Sequence, residues 1–440
     1  MKFRGLLIAT VLLVTLAGTV YFVERGKKDT ASDTATEKLF SVKAEEIQEI
    51  ALEPSDGQPL KLARADDRWK IVEPREVAAD ETAASGLASS LSTLNVTDTI
   101  EADTQSLADY GLAQPQATVR FRTKSGESHA LLLGDDTPTG SAVYAKAENR
   151  PRVVTVASYL RNDFTKSLFD LRDKSVLKFD TASASRAWVR NKAGRFELVK
   201  TDDRWRLAAP VDARADQMAV NDLLREAANA RMESVEAEEG SKDAANDSRF
   251  GLAAPETVFR VQDSAGLHEL KVSAEKDGKR YARSSDQNLV FTLPSYTVTQ
   301  LTKPIGDIRG SDVFEMDTWR ATRLEATTPE AQVALQKEGE EWKGADPGKK
   351  PEASLVSDAL EKLKGVRATS FPPAGPPARY GLDKPVLRAH VAWGDKQEKE
   401  TVEIGQAGEK AYARREGEAA VYEVSAEALK AAREAVNKLK

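Results

Sequence analysis

Tyr110-Gly111-Leu112-Ala113-Gln114-Pro115 returns as Phe250-Gly251-Leu252-Ala253-Ala254-Pro255 and again as Tyr380-Gly381-Leu382-Asp383-Lys384-Pro385. Each copy spells a helix stop. Glycine reaches the left-handed conformation that ends a helix, the leucine after it packs back on the last turn, and proline prevents continuation. Three occurrences of one such motif point to an internal repeat, and a repeat decides the architecture before any single element does.

Other markers recur around it in the same order. Asp66-Asp67-Arg68-Trp69-Lys70 runs on to Pro74, Asp202-Asp203-Arg204-Trp205-Arg206 to Pro210, and Glu340-Glu341-Trp342-Lys343 to Pro347. After each helix stop comes a period-two strand: Ala117, Val119 and Phe121 alternate with Thr118, Arg120 and Arg122. Thr257, Phe259 and Val261 follow in the second copy, and Leu387, Ala389 and Val391 in the third. Such alternation means a sheet with one face on a core and one in water. A Tyr-Ala-base step follows at Tyr144-Ala145-Lys146, Tyr281-Ala282-Arg283 and Tyr412-Ala413-Arg414. Each precedes a β-branched run, and Asp170-Leu171-Arg172 is echoed by Asp307-Ile308-Arg309.

Four ordered markers, three times over, divide the chain into an N-terminal segment (1–28), a polar linker (29–38) and repeat modules at 39–180, 181–317 and 318–440. Within one copy, strands are expected at Ile47–Leu52, Leu60–Arg64 and Trp69–Val72, with the Asp66-Asp67 pair turning the hairpin. A helix capped by Asp80, or by Asp216 in the second copy, follows. Val220, Leu223, Leu224 and Ala227 form its apolar stripe in the second copy. A short helix ends at the glycine stop, four strands form an antiparallel meander, and a helix near Tyr159–Phe169 leads into the next copy. Strands grouped before and after helices define an α+β class: three tandem repeats, each a mainly antiparallel sheet with one to three helices.

Lys2 and Arg4 precede an uncharged stretch from Gly5 to Val23. Its 19 residues would make a helix of about 28 Å, close to the hydrocarbon thickness of a bilayer. Tyr21 and Phe22 stand at its far end, where aromatic rings suit the headgroup level. The stretch reads as one N-terminal transmembrane anchor, in preference to a cleaved signal peptide, since Thr15 and Ala17 make a poor cleavage site. Basic residues flank both ends, so charge alone does not set its orientation.

The rest of the composition mostly excludes. The 440 residues carry 64 Lys and Arg, 70 Asp and Glu, three His and no Cys, for a net charge of −6. The charges are interspersed, which offers no basic field for nucleic acid. Without cysteine there is no disulfide, thiolate site or cysteine nucleophile. His129, His268 and His390 have no ligand partner at helical spacing, so no metal is expected, and they read as exposed strand residues. No Gly-x-Ser-x-Gly elbow and no phosphate loop is present, so no nucleotide cofactor is implied. The pairs Asp66-Asp67, Asp202-Asp203 and Asp135-Asp136 read as turns, because paired catalytic carboxylates must converge in a cleft.

The helix stop, the run Leu131-Leu132-Leu133-Gly134-Asp135, Tyr144-Ala145-Lys146, the Trp69 hairpin and the N-terminal apolar stretch together resemble the bacterial domain-of-unknown-function family 4340. The second copy departs from the pattern with Val272-Ser273, and the third with Gln406 after Ile404-Gly405. The resemblance implies a single-pass protein of the cytoplasmic membrane whose body lies outside the cytoplasm. It also implies an accessory role beside ABC-type transport systems of the gliding-motility kind. It brings no catalytic residues.

Function is therefore expected to be non-enzymatic: a tethered binding or scaffold protein with a membrane-complex protein as partner. A receptor for envelope glycan or peptide, using grooves between repeats, is the alternative, and a cell-envelope hydrolase a more distant one. Tyr144, Lys146, Tyr281, Arg283, Tyr412 and Arg414 are the candidate groove. Trp69, Trp205, Trp342, Gly111, Gly251, Gly381, Pro115, Pro255 and Pro385 are expected to build the fold.

Overall fold

A computed structural model describes residues 37–100, 106–242, 247–344 and 351–440. The expected anchor and most of the linker lie outside these residues. Among the described residues no helix is long and apolar enough to cross a membrane. The chain divides into two compact units, the first ending at Asp173 and the second running from Lys174 to Lys440.

The first unit is one module. Its strands are β1 (Ile47–Pro54), β2 (Leu60–Ala65), β3 (Arg68–Glu73), β4 (Val77–Ala78), β5 (Asp98–Ile100), β6 (Ala117–Thr123), β7 (Ser128–Asp136), β8 (Ala142–Ala147) and β9 (Val153–Ala157). They form a single sheet in the order β4-β3-β2-β1-β6-β7-β8-β9-β5. Two antiparallel meanders thus meet along β1 and β6, where Ile50 pairs with Phe121 and Leu52 with Val119. Helix α1 (Glu81–Ser92) links the β4 edge to the β5 edge. Its buried Ala84, Leu87, Ala88 and Leu91 join Ile50, Leu62, Trp69, Val119 and Leu131 in one core.

Local chemistry explains these elements. Asp66 and Asp67 both take positive φ, at 50° and 61°, as do Asp202 and Asp203. A two-residue hairpin turn needs that conformation, and aspartate tolerates it. The Asp80 carboxylate accepts the Ala83 N–H at 3.1 Å and so caps α1. One residue later, Glu81 accepts the Trp69 N–H at 3.0 Å and ties the helix to β3. The helix expected over Tyr159–Phe169 is instead two, α2 (Leu160–Phe164) and α3 (Leu168–Leu171). The break follows from Ser167, which starts α3 with a capping box: Asp170 accepts the Ser167 N–H while Ser167 Oγ accepts the Asp170 N–H.

The second unit holds two further modules. One comprises β10 (Arg186–Asn191), β11 (Gly194–Thr201), β12 (Arg204–Ala209), β13 (Ala213–Arg214), β14 (Ser234–Ala237), β15 (Thr257–Gln262), β16 (Leu267–Val272), β17 (Tyr281–Ser284) and β18 (Val290–Thr292). Its strand order, β13-β12-β11-β10-β15-β16-β17-β18-β14, repeats that of the first sheet term for term. Its helices are α4 (Gln217–Asn229), α5 (Ser295–Leu301) and α6 (Ile305–Ile308). Val220, Leu223, Leu224 and Ala227 of α4 are buried as the stripe required.

The last module comprises β19 (Ala321–Thr327), β20 (Gln332–Glu338), β21 (Glu341–Gly344), β22 (Ala368–Ser370), β23 (Leu387–Trp393), β24 (Glu398–Ala407), β25 (Lys410–Arg415) and β26 (Tyr422–Val424). Its order is β21-β20-β19-β23-β24-β25-β26-β22, eight strands among the described residues. Helix α7 (Ala353–Lys364) takes the place of α4, and α8 (Ala426–Asn437) that of α5. The α+β repeat architecture read from the sequence is therefore the observed one.

The chain changes module slightly before the sequence markers do. Val176 N–H donates to Ala230 O in the second module, and Asp312 bridges to Arg367 in the third. These opening segments carry a phenylalanine each, Phe40, Phe179 and Phe314, folded against the sheet they precede. Their contacts are long-range, so no local marker announces them.

Candidate functional site

Each sheet has a face that the helices cover and one they do not. Strand alternation sends apolar side chains to the first and charged ones to the second. On the uncovered face of the first module, Arg120 pairs with Glu53, Arg122 with Glu49, and Lys61 with Glu49 at 3.1 Å. In the second, Arg186 pairs with Glu197 at 3.0 Å, and Arg260 with Glu269. In the third, Arg414 pairs with Glu403 at 3.0 Å and Arg388 with Glu416 at 3.7 Å. Cross-strand ion pairs of this kind hold register and solubility more than they hold stability.

These uncovered faces also hold open cavities, of about 590, 600 and 530 Å³ in the three modules, each beside the first strand of its sheet. That size range suits small-molecule ligands. Their linings differ. Glu49, Glu53, Glu73 and Glu148 with Lys61, Arg120 and Arg122 line the first, and Glu325 and Glu416 with Arg388, His390 and Lys399 the third. The second has Trp188 at its centre, with Arg190, Arg195 and Arg260 against Glu197 as the one carboxylate. Sequence reasoning missed this cavity. Its signal was Trp188 alternating with Ala187 and Val189, an aromatic residue on the polar phase of a strand.

Of the six residues proposed from sequence as a groove, the three tyrosines form separate aromatic contacts, one in each module. Tyr144 packs edge to face on Tyr110 at 4.9 Å and Tyr412 on Tyr380 at 4.9 Å, while Tyr281 meets Phe250 at a tilt at 5.2 Å. Each tyrosine thus clasps the aromatic residue that opens the helix stop of its own module. Their basic neighbours are engaged locally as well. Lys146 donates to Arg150 O at 2.6 Å, Arg283 lies 3.1 Å from Asp247, and Arg414 pairs with Glu403. The glycines of the stop take φ of 67°, 71° and 66°. Trp69, Trp205 and Trp342 are 2%, 3% and 6% exposed, and so belong to the cores.

His129 and His268 depart from expectation. They face the core side rather than water, because the opening segment of each module folds over them. His129 stacks on Phe121 at 4.9 Å and meets Phe40 at 5.6 Å. His268 lies 2.8 Å from Asp286 and 3.3 Å from Asp263. Only His390, 2.9 Å from Thr401 Oγ1, lies on the uncovered face. The third-module counterpart of His129 and His268 is Glu400, which pairs with Val391 as His129 pairs with Phe121 and His268 with Val261. Its carboxylate accepts the N–H groups of Glu315 and Met316, both at 2.9 Å.

Glu400 belongs to a charged junction inside the second unit. Arg214 of the second module reaches Glu315 at 2.8 Å, Glu400 at 3.4 Å and Glu418 at 3.5 Å. Arg415, 2% exposed, donates to Val313 O at 2.7 Å. Tyr422 donates to Glu418 at 3.0 Å, and burial beside that carboxylate pushes its hydroxyl up to about 12. Arg309 lies over Phe371 at 4.1 Å. Each of these charges has an opposite charge or a carbonyl as partner, so the junction fastens two modules.

Among the described residues no cluster of His, Asp and Glu is arranged to hold a metal ion. Asp135 is taken by Gln116 Nε2 at 2.9 Å and Asp136 by Arg161 at 2.9 Å, each serving structure.

The architecture defines a tandem sheet-repeat protein whose uncovered faces, rather than any buried constellation, are its chemically distinct surfaces. The chain belongs to the family described as a domain of unknown function (DUF4340), whose model matches residues 17–100, 69–206 and 205–385. The second match runs from the Trp69 hairpin to the Trp205 hairpin, and the third from Trp205 to Pro385 of the last helix stop, so the matches are offset from the structural modules. No curated protein matches the chain.

Proposed function

We propose that this protein is a non-enzymatic binding or scaffold module, tethered to the cytoplasmic membrane with its body outside the cytoplasm, and an accessory of a membrane transport complex. The observation that carries the reading is repetition. Packing determinants recur in all three modules, whereas a catalytic site is ordinarily built once. What recurs is glycine, proline, tryptophan and apolar strand residues, the vocabulary of folding. The apolar stretch Gly5–Val23 supports the tether. The ion-paired sheet faces support a role in recognition, since complementary charge selects partners and sets register.

The test is crosslinking of full-length protein in native membranes. One class of integral membrane protein should be recovered as an adduct, and deletion of residues 1–28 should release the chain to the soluble fraction and abolish the adduct. A full-length chain found wholly soluble, with no membrane adduct, overturns the reading.

A further inference from the structure

The uncovered face of the second module differs from its two siblings at two adjacent sites. Strand register makes Trp188 the counterpart of Ala51 and Glu325, because each pairs with the residue five past the stop proline: Arg260, Arg120 and His390. The same register makes Arg190 the counterpart of Glu53 and Thr327. On the next strand Arg190 sits directly opposite Arg195. Like charges directly opposite on one sheet face are destabilising. Arg190 donates to Pro255 O at 3.3 Å, and no carboxylate lies within ion-pair distance of Arg195 among the described residues. Both arginines are exposed. The fold gains nothing from this pair, and an anion placed between them would be held by two forked donors.

Trp188 supplies the apolar half of the site. It is half-buried, with the Arg186 guanidinium 5.5 Å from its ring centroid. Arg186 does not line the cavity, whereas Trp188, Val258, Ala209 and Pro210 do. The indole is flanked on its two neighbouring strands by Glu197 and Arg260, an acceptor on one side and a donor on the other. An apolar platform with a donor and an acceptor at its edges suits a ring with an apolar face and a hydroxylated rim. The twin arginines, one strand step away on the same face, suit a carboxylate on that ring.

We infer that this cavity is a binding site for an acidic saccharide, the sugar ring lying on Trp188 and its carboxylate between Arg190 and Arg195. The inference deepens the binding role proposed above by naming a ligand class. It shares only the premise that the sheet faces bind, so partner crosslinking and saccharide binding can fail separately.

Calorimetric titration of the full chain with trigalacturonate tests it, with maltotriose as the neutral sugar and hexa-aspartate and AMP as anions without a pyranose ring. Trigalacturonate should bind, and maltotriose should bind at least about tenfold more weakly. Trp188→Ala and the double change Arg190→Gln/Arg195→Gln should each weaken trigalacturonate about tenfold or more, equivalent to roughly 1.4 kcal/mol. Trp319→Ala, at a residue 90% exposed in the third module, should change nothing. Trp188→Phe should retain most of the affinity and guards against a folding effect of the alanine. No binding of trigalacturonate, equal binding by both cavity variants, or tighter binding of hexa-aspartate or AMP would each overturn the assignment.

Discussion

Strands β16 and β24 occupy the same place in the second and third modules, and two of the positions at which they differ change what each strand touches. Where β24 has Glu400, β16 has His268. Where β24 has Gly405, the second module has Ser273 just past β16. The histidine is satisfied inside its own module by Asp263 and Asp286. The glutamate is shared with Arg214 of the preceding module. A Cβ on Gly405 would overlap the carbonyl of Gly381, so the helix stop lies directly on the strand. At the second module's stop, a Cβ on Gly251 would lie 3.4 Å from Ser273 Cβ, which is ordinary contact. Ser273 Oγ uses the space to accept the Tyr281 N–H at 3.0 Å. Apolar packing is thus copied from module to module, while polar positions are free to specialise.

The widest gap between the two modules should appear on deleting charge. Glu400→Ala removes the acceptor of the Glu315 and Met316 N–H groups and one of the carboxylates facing Arg214, and should destabilise the third module by about 3–5 kcal/mol. His268→Ala should cost the second module only about 1–3 kcal/mol, for two carboxylates that lose a partner. Hydrogen exchange read peptide by peptide on the full chain separates the two modules; equal losses would mean that the junction contributes no more than a local pair.

Trp205→Ala empties a core site and should cost about 3–5 kcal/mol. Trp188→Ala, two strands away on the uncovered face, should stay within about 0.5 kcal/mol. Denaturant unfolding measures both, and a large effect at Trp188 would place it in the core rather than in a ligand site.

Gly405→Ala forces the stop turn off the strand and should cost about 1–3 kcal/mol. Ser273→Gly, which moves the second module toward the third, should cost about 1 kcal/mol for the lost hydrogen bond. If Gly405→Ala proves silent in thermal unfolding, the close crossing is not a constraint.

The smallest effects concern acid. Burial raises the Asp263 carboxyl, but the N–H groups of Asp180, Gly266 and Ala265 and the His268 ring outweigh it and hold the group below its ordinary 3.8. The stability it contributes is full above 3.8 and is lost as pH falls through the folded value. Glu400 has the opposite sign. Burial outweighs Arg415, Arg214 and two N–H groups and lifts it above 4.5. Its contribution is full below 4.5 and is lost as pH rises through the folded value. Asp263→Asn should therefore flatten the acid limb of second-module stability, and Glu400→Gln should flatten the limb above 4.5 in the third. Unfolding midpoints across that range check both signs.

The sequence by itself determined the repeat, the α+β class, the caps at Asp80 and Asp216, the Asp-Asp hairpins and the helix stops. Each of these is a local choice: a φ that glycine or aspartate permits, a side chain reaching a backbone N–H a few residues away, or an alternation along one strand. Tertiary structure alone decided that His129 and His268 face inward, that Tyr144, Tyr281 and Tyr412 clasp their own stop motifs, and that Glu400 answers to Arg214. It also placed Arg195 opposite Arg190 beside Trp188. Those outcomes depend on which strands adjoin and in what register, and pairing across long stretches of chain is fixed by the burial of whole faces, which no short window of residues contains.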